Sequence, residues 1–154
     1  MDAENYNPER MAKTTGKSLP VSFKQSVEIC NFIRNKNVND AKNILAGVIN
    51  KKRAIPFTRF NRDLGHKKKI GPGRYPIKAS KEIVRLLESV EANAQFKGLN
   101  TANLVISGIS ANKASKAWHF GRKRRRKAKR TNIEIIVEEK SKVKESKTPA
   151  KEEK

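Results

Sequence analysis

Acidic side chains are scarce in this chain: 15 Asp and Glu stand against 36 Lys and Arg, and none lies between Glu91 and Glu134. Histidine is scarcer still, with only His66 and His119, and cysteine is confined to Cys30. One cysteine excludes an internal disulfide, and without a Cys-x-x-Cys or paired histidines there is no zinc-binding spacing, so a reducing cytosol fits best. No Ser, His and Asp grouping, paired carboxylates or His-Glu-x-x-His stretch occurs, and the few acids fall mostly on helix surfaces or near the C-terminus. Catalysis therefore has little to stand on, and neither cofactor nor metal is expected. Apolar runs fall short of the roughly 18 to 20 residues that span a bilayer, and the chain opens with Asp2, Glu4 and Glu9 instead of a basic start and an apolar core. Neither a membrane span nor a signal peptide is expected.

What the chain has in abundance is positive charge, a net +21. A free protein bears that only with self-repulsion, which a polyanionic partner relieves. Its 154 residues, 36% of them hydrophobic, suffice for one domain with a modest core and leave the remainder for tails or partner-facing surface. The densest charge comprises Lys113, Lys116, Arg122, Lys123, Arg124, Arg125, Arg126, Lys127, Lys129 and Arg130. Side chains of one sign this close repel, so order in the segment calls for something negative and extended along it, and nucleic acid is the natural candidate. Arginine outnumbers lysine from Arg122 to Arg126, and a guanidinium can fork onto phosphate or stack on a base. Trp118, His119 and Phe120 sit inside the run. Stacking on unpaired bases would account for these rings, and a local cluster at the end of a hairpin would do so equally.

A second basic stretch holds Arg59, Arg62, His66, Lys67, Lys68, Lys69 and Arg74, opposed only by Asp63 and interleaved with Phe57, Phe60 and Tyr75. Phosphate contact is the favoured reading, since its glycines would let the backbone approach a phosphate closely. Gly71-Pro-Gly-Arg74 lacks the spacing of a phosphate-binding loop and reads as a plain turn.

The periodicities give an α+β fold. Residues 1–16 read as a flexible leader and Leu19-Pro-Val-Ser22 as a short extended piece. Phe23, Val27, Cys30 and Ile33 recur at helical spacing, with Lys24, Gln25, Glu28 and Arg34 on the other face. Asn37 can cap a second helix striped by Val38, Ala41, Leu45 and Val48. Prolines and glycines from Ala54 to Ala79 predict a loop without regular elements. Ser80 is the expected cap of a third helix carrying Ile83, Leu86, Leu87, Val90 and Ala94, which Gly98 ends. Leu104 to Ser110 and Thr131 to Glu138 read as strands, making 104–138 a hairpin with the basic run at its tip. Residues 140–154 read as a disordered charged tail. Strand arms of about nine residues reach on the order of 30 Å, further than a groove contact requires, which favours penetration into a folded RNA over a DNA-compacting arm in a minor groove.

Several segments occur in the order shown by one family. Val21-Ser-Phe-Lys24, Pro56-Phe-Thr-Arg-Phe-Asn61, Gly73-Arg-Tyr-Pro76, Glu91-Ala-Asn-Ala94 with Lys97-Gly-Leu99, and Thr131-Asn-Ile-Glu134 together resemble the ribosomal large-subunit protein L22 family (universal name uL22) in its archaeal and eukaryotic form. The resemblance covers most of the chain from about Val21 to Glu139. It implies one domain over 17–139, with three helices packed on a small three-stranded antiparallel sheet and a long basic β-hairpin projecting through large-subunit rRNA toward the nascent-peptide exit tunnel. The implied role is structural and non-enzymatic, in assembly and tunnel lining within the cytoplasmic large subunit. Implied partners are rRNA, neighbouring ribosomal proteins and, near the tip, the nascent peptide; a homo-oligomer is not implied. Gly121-Arg122 matches the family's Gly-Arg near the tip, while Ala117-Trp-His-Phe120 replaces the longer Arg-x-x-Pro-Arg-Ala segment usual in relatives.

Overall fold

From Thr131 to Val137, buried and half-buried side chains alternate strictly, the pattern of a strand with one face on a core. This strand is the middle of a three-stranded antiparallel sheet, and what packs on its buried face defines the domain. In the computed structural model, which describes residues 7–140, the chain runs β1 (Met11–Leu19), α1 (Phe23–Ile33), α2 (Val38–Ile49), β2 (Ile55–Pro56), β3 (His66–Lys67), β4 (Gly71–Arg74), α3 (Ile77–Phe96), β5 (Leu104–Lys113) and β6 (Thr131–Glu139). The main sheet has the order β1-β6-β5, with Ala12 opposite Val137 and Ile109 opposite Ile135. α3 lies against β1, α1 against β5, and α2 against α3. Ile29, Ile33, Leu45, Ile83, Leu87, Leu104, Ile106, Ile133 and Ile135 are fully enclosed between these layers.

The three helices form on the expected stripes, but their ends differ. Asn37 occupies the cap position of α2 without making a side-chain cap; its amide donates instead to the Ala102 carbonyl. α3 begins at Ile77, directly after Pro76, so Ser80 is not its cap and lies buried within the helix. Pro76 itself takes the cap position, and its carbonyl accepts the Ser80 N–H at 3.0 Å, so the helix starts a turn earlier than the serine. At the other end Gly98 takes φ +76, with its N–H on the Gln95 carbonyl and that of Leu99 on Ala94. That pair of bonds is a Schellman close, and it needs the left-handed residue that glycine supplies most readily.

Two further expectations are corrected. The leader does not run to residue 16, because Met11 to Leu19 is a strand paired with β6 and Ala12 is wholly buried. Its alternation is weak because it is an edge strand with mostly polar side chains, so pairing rather than hydrophobic pattern reveals it. The stretch from Ala54 to Ala79 is not without regular elements, since β2, β4 and β3 form a second small antiparallel sheet in that order. Gly73 permits it: a Cβ there would stand 3.1 Å from Ile70 Cδ1 and 3.3 Å from the Ile55 carbonyl. The leader expectation for residues 1–6 and the tail expectation beyond Lys140 lie outside the described residues.

Cys30, expected in the core, is buried on α1, and that burial pushes its thiol up to about 12 from 9.0. The neutral thiol's stabilising contribution is fully present below its ordinary value and is lost as pH climbs from there toward 12. At pH 8 a disulfide reagent is expected to leave Cys30 unmodified until the chain is unfolded in guanidinium. Prompt labelling of the native protein would contradict this burial.

Candidate nucleic-acid interface

β5 and β6 pair from Leu104 with Glu139 to Lys113 with Thr131, and cross-strand bonds continue beyond the ladder. The Ala114 N–H donates to the Arg130 carbonyl at 3.2 Å, that of Ala128 to Ala117 at 2.8 Å, and that of His119 to Arg126 at 2.8 Å. Trp118 faces Lys127 across an isolated bridge. A short helical turn, Gly121–Lys123, closes the segment, followed by Arg125 at φ +70. The spine of this segment is therefore backbone pairing, which leaves its side chains free to face outward. Lys113, Lys116, Arg122, Arg124, Arg125, Arg126, Lys127 and Lys129 are all exposed, and Arg130 is half-buried.

Trp118 is 62% exposed and Phe120 93%. The Lys127 ammonium stands 4.3 Å from the centre of the Trp118 ring, a cation–π contact that covers one face of the indole. Of the two readings for these rings, a local cluster describes Trp118 in part, while Phe120 is left uncovered. Arg130 has a different job from its neighbours. Its guanidinium donates to the Ser18 carbonyl at 3.0 Å, while Asn132 accepts from the Ser18 N–H at 2.7 Å, so this arginine fixes the bulge in β1.

The second basic stretch is built around a lysine turn. β3 pairs with β4 through His66 opposite Pro72 and Lys67 opposite Gly71. Between them the Ile70 N–H donates to the Lys67 carbonyl, and Lys69 is held at φ +69. His66, Lys67, Lys68, Lys69 and Arg74 are exposed on this small sheet. Lys67 leans toward the Tyr75 ring at 5.9 Å. Gly73 is packed against its own protein and is not open to a phosphate, whereas Gly65 and Gly71 have no heavy atom within 4 Å of where a Cβ would stand. Arg62 reaches back to the Thr58 carbonyl at 2.6 Å.

Glu28, assigned by periodicity to the polar face of α1, is only 2% exposed. Its carboxylate accepts backbone N–H bonds from Thr58 at 3.2 Å, Arg59 at 3.0 Å and Phe60 at 2.7 Å, and the Thr58 hydroxyl stands 3.4 Å away. A charge-assisted set of this kind fixes the turn that carries Arg59. The turn also brings together the two basic stretches, which are far apart in sequence. Phe23, at the start of α1, meets Phe60 edge-to-face at 6.0 Å; Lys113 of β5 lies over Phe23 at 5.5 Å, and Arg59 and Lys24 lie over Phe60 at 5.4 and 5.8 Å. Phe23, Lys24 and Glu28 escaped the sequence reading because helical periodicity assigned them to core or solvent. The available clue was the position of Phe23 and Phe60 inside the family-like segments Val21 to Lys24 and Pro56 to Asn61.

Among the described residues the ion pairs are Lys13 with Glu134, Lys42 with Glu91, and Arg85 with Glu82, and none of them draws on a basic-site side chain. Within the same residues no grouping of three or more His, Cys, Asp or Glu could hold a metal, and no helix is long and apolar enough to cross a membrane.

An exposed cationic ribbon joined to a cationic turn on an α+β body is the geometry to set beside known proteins. The sequence profile of ribosomal protein L22p/L17e matches residues 14–143. The chain belongs to that family. It is 44% identical to the large ribosomal subunit protein uL22 of Methanoregula boonei over 140 residues, covering 85% of this chain and 91% of that protein. The corresponding protein of Archaeoglobus fulgidus is 40% identical over 144 residues, 86% of this chain and 93% of its own length. That of Thermoplasma acidophilum is 44% identical over 133 residues, 83% and 88% respectively. This L22p/L17e chain is thus akin to archaeal ribosomal proteins along nearly its whole length, and its family is one of ribosomal proteins, not enzymes.

Proposed function

We propose that the protein is a structural constituent of the cytoplasmic large ribosomal subunit, held there by large-subunit rRNA and supporting subunit assembly. The observation that carries this is the ribbon from Lys113 to Lys129, whose exposed cations stand without carboxylate partners among the described residues. Arg59, Arg62, His66, Lys67, Lys68, Lys69 and Arg74 add a second set of phosphate contacts, and Trp118 and Phe120 offer faces to unpaired bases. The pairing of β5 with β6 and its continuation toward Gly121 support a long basic hairpin penetrating folded rRNA, its tip directed to the wall of the exit tunnel. Within the particle the chain acts as a single copy beside neighbouring ribosomal proteins, with the nascent peptide passing near the tip.

Fractionation tests this. The tagged protein is expected to co-sediment with large subunits through a moderate salt wash. Recovery mainly with chromosomal DNA, or in the soluble pool, would overturn the reading.

A further inference from the structure

We propose that the two basic stretches act as one site, in which Arg59 and Lys113 grip a single continuous stretch of RNA backbone across the Phe23–Phe60 junction. This rests on the rRNA-binding reading above. The junction gathers three cations, Lys24, Arg59 and Lys113, around two half-buried rings in contact with each other. Ring faces offset only part of the repulsion among three cations gathered on one pair of rings. A phosphodiester running over the junction supplies the rest. The site is also preformed on the loop side, since the Glu28 carboxylate fixes the Arg59 and Phe60 backbone by accepting their N–H bonds. On the other side Lys113 ends the β5 ladder opposite Thr131, whose hydroxyl is tied to the Val21 carbonyl at 3.0 Å. Neither cation need be ordered by the ligand from a disordered start, so one strand of RNA meets both in a fixed relation.

The test is a double-mutant cycle on the full chain, with large-subunit rRNA transcribed from the source genome as the probe. Arg59 and Lys113 are exposed, so Arg59→Gln and Lys113→Gln are expected to leave the circular dichroism spectrum unchanged. Each is expected to weaken binding about five- to tenfold and to lower the slope of log affinity against log salt by about 0.7 to 0.9. A shared grip makes the double variant lose clearly less than the product of the two. Phe23→Leu is expected to weaken binding about threefold with the slope unchanged, since it removes no charge. Losses that multiply, with wild-type binding intact, overturn the shared grip and leave the rRNA reading standing. A wild-type chain without salt-sensitive RNA binding overturns both.

Discussion

Replacing Arg122, Arg124, Arg125 and Arg126 together by glutamine is expected to lower affinity for large-subunit rRNA on the order of 10² to 10³-fold at physiological salt, with little change in the melting temperature of the free chain. Removing four phosphate contacts lowers the slope of log affinity against log salt by about 3, which is a large part of what a protein with six to ten contacts has. The fold should be indifferent because these four side chains are exposed and none belongs to an ion pair among the described residues. Stability should if anything rise, since the substitution relieves repulsion between neighbours of one sign. Filter binding across a salt series together with thermal denaturation separates the two effects. A melting temperature that falls by several degrees would mean that the arginines hold the domain itself, contrary to the assignment. The variant should also be underrepresented in assembled large subunits relative to its level in the cell.

The elements that could be read from sequence are those whose pattern is set by one core. α2, with Val38, Ala41, Leu45 and Val48 all buried, and β6, with Thr131, Ile133, Ile135 and Val137 inward, each face a single apolar layer and carry its period. β1 could not be read this way. Its pairing with β6 is made by backbone groups, and a strand of Lys, Thr and Gly at a sheet edge shows little alternation. The small sheet of β2, β3 and β4 was hidden by the very prolines and glycines that normally break elements: Gly71, Pro72 and Gly73 lie in its four-residue middle strand, whose partners β2 and β3 are only two residues long. On the site side, the exposed cations were visible as a run of charge. What joins them was not, since the Phe23–Phe60 contact and the Glu28 bonds cross about thirty residues of sequence and depend on how α1 lies beside the loop.

Glu28 is where the largest loss of stability is expected. On α1 the residues from Ser26 to Cys30 are all buried, so this helix is covered on two sides, by the main sheet and by the segment that follows β2. An acid on the second covered side would be costly if unpaired. Here it is paired with N–H donors of Thr58, Arg59 and Phe60 that have no strand partner to satisfy them. Glu28→Leu would leave these three part-buried donors without their shared acceptor, at a combined cost of about 3 kcal/mol. For a domain of this size that corresponds to a melting temperature lower by on the order of 10 °C. Glu28→Gln keeps the shape and one acceptor oxygen but turns an N–H₂ toward the same donors, so an intermediate loss is expected. Amide exchange adds a local readout: the Thr58 to Phe60 amides should lose protection in Glu28→Gln before those of β6 do. A melting temperature within a degree or two of wild type for Glu28→Leu would sink the clamp and remove the support it gives Arg59. If the clamp holds and the chain binds rRNA as proposed, the acid serves that binding although it carries the wrong charge for it, because its carboxylate is spent on the backbone that keeps Arg59 in place.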